Sequence, residues 1–309
     1  MRILLWHVHG AWTTAFVQGR HEYVVPVLPG RGPDGRGRAQ TYAWPDSVRE
    51  LAPEALSEEP FDVVLYQRPH ELELAAEWLG PRELPAVYVE HNAPQGRIAE
   101  MRHPLADRED LTLVHVTHFN ALFWDAGATP VRVIEHGIVD PGPLYTGELP
   151  RAAVVINEAR RRGRVTGTDL LARLGPVDLF GIDAPALGGL DLPQAALHAE
   201  LARRRVYLHP IRWTSLGLSL LEAMHLGMPV VALGTTEAWE AVPPGAGVVS
   251  TRLDVLEAAL RCLLADPEGA REMGARAREA ALARYGLARF LADWDALLAS
   301  VVGEPAVAR

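Results

Sequence analysis

R-V-Y-L-H-P-I-R-W-T-S-L-G-L-S-L-L-E-A-M-H-L-G-M-P-V-V-A-L, residues 205–233, begins with a short β-rich run that stops at His209-Pro210. A turn carrying Gly217 follows, then a periodic apolar run over 218–226 and a second apolar run at 230–233. That order predicts strand, glycine-bearing turn, helix and strand, the unit from which parallel sheets with crossover helices are built. Gly217 lets backbone approach a ligand closely. The first N–H groups of a helix have no intrahelical partner and stand at the positive end of its dipole, so an anionic ligand finds donors there. Glu222, one turn in, is placed to accept from a hydroxyl of the same ligand.

Outward from this stretch, β-rich runs at 3–8, 23–27, 62–66, 86–90, 111–116 and 131–135 alternate with helical patterns. A second series follows at 152–157, 177–180, 206–209, 230–233 and 247–249. Two parallel sheets, and so two domains, are expected; 309 residues with 49% hydrophobic content can fill two cores. The segment E-H-G-I-V-D-P-G-P, 135–143, has the glycines and prolines of a connector between them. Residues 253–283 read as two helices broken at Asp266-Pro267, and 285–302 as a last amphipathic helix with Phe290, Trp294 and Leu297 on one face. The lone cysteine, Cys262, excludes an intramolecular disulfide and reads as a core residue.

Composition removes several chemistries. The net charge of −9 argues against general attraction to nucleic acid or to anionic membranes. The first apolar run is broken by His7, and no stretch approaches ~18 uninterrupted apolar residues, so a soluble, cytoplasmic protein is expected. All 30 basic residues are arginine. A Walker lysine, a Schiff-base lysine, a Ser-Lys nucleophile and a carboxylated-lysine metal bridge are therefore impossible, and any phosphate clamp must use arginine.

The stretch at 205–233 resembles the donor site of the family 4 (group 1) retaining glycosyltransferases, whose fold is GT-B. The matching residues are Pro210, Gly217, Leu218, Leu220, Leu221, Glu222, Ala223, Met224, Gly227, Pro229, Val230, Val231 and Ala232. The resemblance implies two Rossmann-like domains with parallel sheets facing across a cleft. An acceptor-side domain would span 1–138, with a final helix at 287–309 packed back on it, and a nucleotide-sugar domain would span 139–286. It also implies metal-independent transfer of a sugar, without a cofactor, from a nucleoside diphosphate sugar to an unknown acceptor. His91, in V-Y-V-E-H-N, matches the family's sugar-contacting histidine, with Asn92 where aspartate is common. Arg160 falls at the spacing of the family's phosphate-binding arginine, and the tail Gly167, Asp169, Leu170, Leu171 matches its G-x-D-L-L. Thr166 stands where that motif carries lysine, which leaves Arg164 as the second cation. On this basis His91, Arg160 and Arg164 are the implied catalytic residues. Gly10, Gly181, Thr214, Leu216, Gly217, Leu218 and Glu222 are the implied donor-binding ones, Thr214 replacing the first of the family's two glutamates.

Other features are read from the residues themselves. His7 and His9 end the first β-rich run two apart, which places their side chains on one face. They read as cleft-lining groups or structural histidines, or as the start of a metal-dependent hydrolase site. Arg68, His70 and His118 follow other strand ends and join His7 and His9 as acceptor-side candidates; Thr117 before His118 is a good N-cap by type. Gly30, Gly32 and Gly35 have G-x-G-x-x-G spacing, but no helical run follows, so 29–38 reads as a mobile surface loop or one folding over the acceptor. Glu222 and His225 have the spacing of half a di-iron site without a second E-x-x-H to complete it. The departures at Thr214 and Thr166 also allow a GT-B nucleotide-binding protein or a partner-dependent subunit.

Overall fold

A computed structural model describes residues 1–303. The chain divides into two compact units, Met1–Gly137 with Leu287–Arg309, and Ile138–Gly286, so that it passes from one to the other twice. Residues 304–309, the end of the expected final helix, lie outside the described residues.

The first unit holds seven parallel strands: β1 (Arg2–Leu5), β2 (Glu22–Pro26), β3 (Val48–Leu51), β4 (Val63–Tyr66), β5 (Ala86–Glu90), β6 (Thr112–His115) and β7 (Val131–Val133). Their order is β3-β2-β1-β4-β5-β6-β7. The second unit holds β8 (Leu149–Val155), β9 (Val177–Phe180), β10 (Arg204–His209), β11 (Val230–Leu233) and β12 (Gly247–Ser250), in the order β12-β11-β10-β8-β9. The central strands are covered by helices on both faces, which is why they read as unbroken apolar runs. β3 was not expected. It lies at the sheet edge, and V-R-E-L carries two charges because only part of an edge strand is buried.

Each sheet has one place where successive connections leave in opposite directions, between β1 and β4 and between β8 and β10. Ligands of open α/β sheets bind beyond the carboxyl ends of the strands at such a point. The chain beyond β1 carries His7, His9 and Gly10, and the chain beyond β10 carries the turn to Gly217.

The helix Leu218–Leu226 buries every residue after its first two, with Leu220, Leu221 and Met224 wholly inside the second core. Each such side chain contributes roughly 2 kcal/mol by leaving water. The helix ends at Gly227 in the left-handed region, φ 88°, and Met228 N–H closes it on the Ala223 carbonyl.

The second of the two expected helices runs further than its pattern suggested. It spans Pro267–Tyr285, and the last helix, Leu287–Val302, starts only after Gly286. Its buried Phe290 and Trp294 pack edge-on against Trp12 of the helix Gly10–Phe16. Cys262 is exposed, contrary to its reading as core: Leu256, Leu260 and Leu263 form the buried face of the helix Leu253–Ala265, and Cys262 lies off it. Among the described residues, no helix is long and apolar enough to cross a membrane.

Candidate active site

In the second unit, β10 delivers His209, and the turn after Pro210 brings the chain to Gly217 at the start of the helix. No side chain caps that start, so its first N–H groups remain available to an anion. The glycine has a reason that the sequence did not disclose. A Cβ at Gly217 would lie 2.5 Å from Cε1 of His209, whose buried ring fills the space beneath the turn. Burial alone pulls the His209 pKa down to about 4, so the imidazole behind the helix start is neutral. Gly217→Ala is expected to cost about 2 kcal/mol by overpacking. Urea unfolding measures this, and His209→Ala in the same chain should restore most of it.

Glu222 is buried one turn in. Its Oε1 accepts from Gln194 Nε2 at 3.2 Å and its Oε2 lies 3.6 Å from His198 Nε2, both from the helix Gln194–Arg203. These two partners were not foreseen. Leu216 and Leu218 serve the core, and Thr214 is half-buried in the turn.

The arginine-rich segment folds onto this turn. Gly167 is in the left-handed region, φ 75°, and a Cβ there would strike the Pro210 carbonyl oxygen. Arg212 and Trp213 donate backbone hydrogen bonds to the Val165 carbonyl at 2.9 and 3.2 Å. Arg212, which the sequence did not single out, grips Asp169 with both guanidinium nitrogens at 2.6 and 2.9 Å, and Arg164 reaches the same carboxylate at 3.4 Å. The expected pair of open cations is thereby corrected. Arg164 shares its charge with Asp169, whereas Arg160 lies on the Ala186 carbonyl at 2.8 Å. Thr166, at the family's lysine position, is wholly buried, its hydroxyl on the Gly163 carbonyl at 3.2 Å.

Gly181 has φ 129°, and a Cβ there would lie 2.5 Å from the Ile156 carbonyl oxygen. Its own N–H donates to Leu190, so it serves a close strand-to-loop approach.

In the first unit, His91 is buried at the end of β5, its ring 4.0 Å from that of His9 and 5.0 Å from Trp12. Burial first, then the neighbouring His9 and His136, hold its pKa well below the usual histidine range. Burial likewise takes His9 to about 4 and His136 to about 3. Three neutral imidazoles therefore gather here, and His136, 45 residues from His91, was missed by the sequence reading.

His7 parts from His9. β1 ends at Leu5, so strand alternation does not extend to them; His7 stacks on Trp44 at 4.7 Å and bonds the Gly37 carbonyl at 3.0 Å. The two rings do not converge as a shared ligand pair. Gly10 begins the helix Gly10–Phe16 beside Tyr42.

Arg68 binds Glu71 at 2.7 Å and Asp34 at 3.0 Å, and His70 binds the same Asp34 at 2.8 Å. Asp34 and the Arg31–Glu50 pair, at 2.8 and 3.1 Å, tie down the glycine loop at 29–38, and no helix follows it. His118 is exposed, at the start of a helix capped by the Thr117 hydroxyl.

The topology decides the fold. Structures that resemble the chain over nearly its whole length include the sucrose-phosphate synthase of Thermosynechococcus elongatus, at 14% identity, TM-score 0.73, 98% of this chain and 99% of that one. The Anabaena protein HepE, in complex with UDP and glucose, matches at 15% identity and TM-score 0.68 over 97% and 100%. A glycosyltransferase from Rickettsia africae matches at 12% and 0.66 over 98% and 99%. The fold is GT-B. Within its second unit, residues 189–280 match the family model described as glycosyl transferases group 1, which covers Gly217 and Glu222. Among curated proteins none matches the chain in sequence.

Proposed function

We propose that the chain is a glycosyltransferase that moves a sugar from a nucleoside diphosphate sugar to an acceptor, with retention of configuration and without a metal or cofactor, in the cytoplasm. The observation that carries this is the group 1 match over 189–280, centred on an uncapped helix start with a buried glutamate one turn in. On this reading the donor diphosphate lies at the N-terminus of the helix Leu218–Leu226, where backbone N–H groups and the dipole stabilise the charge that grows as the sugar departs. Arg160, Arg164 and Arg212 add positive charge from the adjoining segment. Glu222 accepts from the ribose hydroxyls, and Gln194 and His198 hold its carboxylate for them. In the first unit, His91 keeps the role that the resemblance gives it, within the cluster formed with His9 and His136. That HepE was solved with UDP and glucose supports a nucleotide-sugar donor for this fold.

The competing reading, a GT-B protein that binds nucleotide without transferring sugar, draws on Thr166 and on the Asp169 carboxylate that already occupies Arg164 and Arg212. A thermal-shift series with the diphosphates of uridine, guanosine, adenosine and thymidine tests the first step. One of them, at 100 times its dissociation constant, is expected to add ~2.7 kcal/mol, or about 5–10 °C for a unit of this size. If none of the four moves the transition, both readings fail. If one does, but its sugar conjugate is neither hydrolysed nor transferred, the binding protein remains.

A further inference from the structure

The first unit contains a cavity of about 300 Å³ that the histidine cluster does not use. It opens beyond β4 and β5 and is lined by Arg68, Tyr88, Glu90, Met101 and Trp124 among others. Tyr88 and Glu90 are two apart in β5 and share one face of the sheet; His91, the next residue, turns to His9 instead. A larger, more open hollow of about 610 Å³ lies beside Arg2, Glu22, Arg49 and Glu59, but its arginines and carboxylates already pair with one another. It offers little to a ligand.

Glu90 is the fixed point of the smaller cavity. The Asn92 N–H donates to its Oε1 at 2.6 Å, and His103 Nε2 lies 3.0 Å from its Oε2. The Leu105 N–H donates to His103 Nδ1 at 3.1 Å, so Nδ1 carries the lone pair and Nε2 carries the hydrogen given to Glu90. The imidazole is therefore no base. It orients a carboxylate, which keeps further lone pairs for a ligand's O–H groups. Trp124 is held alongside by its Nε1–H on the Asn92 carbonyl at 2.8 Å, and its ring and that of Tyr88 flank His103 at 5.1 and 5.4 Å. Two more polar atoms at this wall, Gln67 Oε1 and Arg68 Nη2, are buried with no partner.

Aromatic walls with one oriented carboxylate and a few amide groups suit a ring that has an apolar C–H face and a hydroxyl rim. Arg68 is already claimed by Glu71 and Asp34, so the surroundings are not cationic and do not suit an anion. A volume of about 300 Å³ is at the small end for ligand sites, fit for one ring. We propose that this cavity binds one uncharged glycosyl unit, with Trp124 and Tyr88 against its C–H face and Glu90 accepting from its hydroxyls. That this unit belongs to the acceptor rests on the transferase reading; the binding itself does not.

Saturation-transfer NMR on the full chain, with methyl α-D-glucoside, mannoside and galactoside as probes, tests it. At least one glycoside is expected to bind, Trp124→Ala to abolish its signal, and Glu90→Gln to weaken it about tenfold, as a charge-assisted hydrogen bond would. Near-UV circular dichroism and nucleoside diphosphate affinity should stay at wild-type values in both variants, which separates lost binding from lost folding. The proposal is overturned if no glycoside binds, if only glucuronate or a sugar phosphate does, or if binding survives Trp124→Ala. Glycoside binding in a chain that takes no nucleotide would uphold the cavity and defeat the transferase reading.

Discussion

Lowering the pH from 7 to 4.5 is expected to unfold the first unit before the second. His9 and His115 have pKa values near 4 and His136 near 3, with burial the largest cause in each, and His91 lies well below the ordinary range. All four belong to the first unit. In the second, His209 is held near 4, and burial also lowers His225. The sign follows from where protons bind. Between about 6.5 and 4 the unfolded chain takes up protons at these imidazoles and the folded chain does not, so stability is full above ~6.5 and falls as the pH drops. Each fully buried group removes up to ~1.4 kcal/mol per pH unit across that window. Four of them together can exhaust a domain stability of ~5–15 kcal/mol before pH 4.

Tryptophan fluorescence reports mainly on the first unit, which carries Trp6, Trp12, Trp44, Trp78, Trp124 and Trp294, against Trp213 and Trp239 in the second. Its acid midpoint should therefore precede loss of nucleotide binding. His115 is the cleanest probe, because it is wholly buried with neither ring nitrogen hydrogen-bonded. His115→Leu should leave stability at pH 7 near the wild-type value and move the acid midpoint down by several tenths of a pH unit. A midpoint indifferent to that change would mean that the buried histidines do not govern the acid transition.

The same histidines show what the sequence could and could not disclose. The unit from β10 through Leu218–Leu226 to β11 was legible because it is central, covered on both faces and closed by Gly227, so local pattern and burial agree. β3 was not, since an edge strand keeps charges that break the pattern. His7 and His9 were assigned one face on the assumption that the strand continued, but it stops at Leu5. His136 meets His9 and His91 only through the fold. Arg212 likewise became visible once Gly167 was seated against Pro210, which brings Asp169 under the turn to Gly217. Gly217 itself was read correctly as a close-approach residue, but part of what approaches is the protein's own His209.

Glu222→Ala is expected to reduce nucleoside diphosphate affinity between ten- and a hundredfold, since a hydrogen bond to a charged group is worth about 1.5–3 kcal/mol. The structure requires that this be separated from a loss of stability. Removing the carboxylate leaves Gln194 Nε2 and His198 Nε2 facing a buried gap, and an unsatisfied polar group costs about 1–3 kcal/mol. Titration calorimetry well below the unfolding temperature therefore has to be paired with a denaturation curve for each variant. Gln194→Ala and His198→Phe keep the carboxylate but loosen its orientation. If Glu222 accepts ribose hydroxyls, both should weaken binding several-fold less than Glu222→Ala. If instead Glu222 only holds the helix Gln194–Arg203 to the helix Leu218–Leu226, all three variants will lose stability together and nucleotide affinity in none. The assignment rests on the first pattern, because only a ligand contact makes the carboxylate matter more than the partners that hold it.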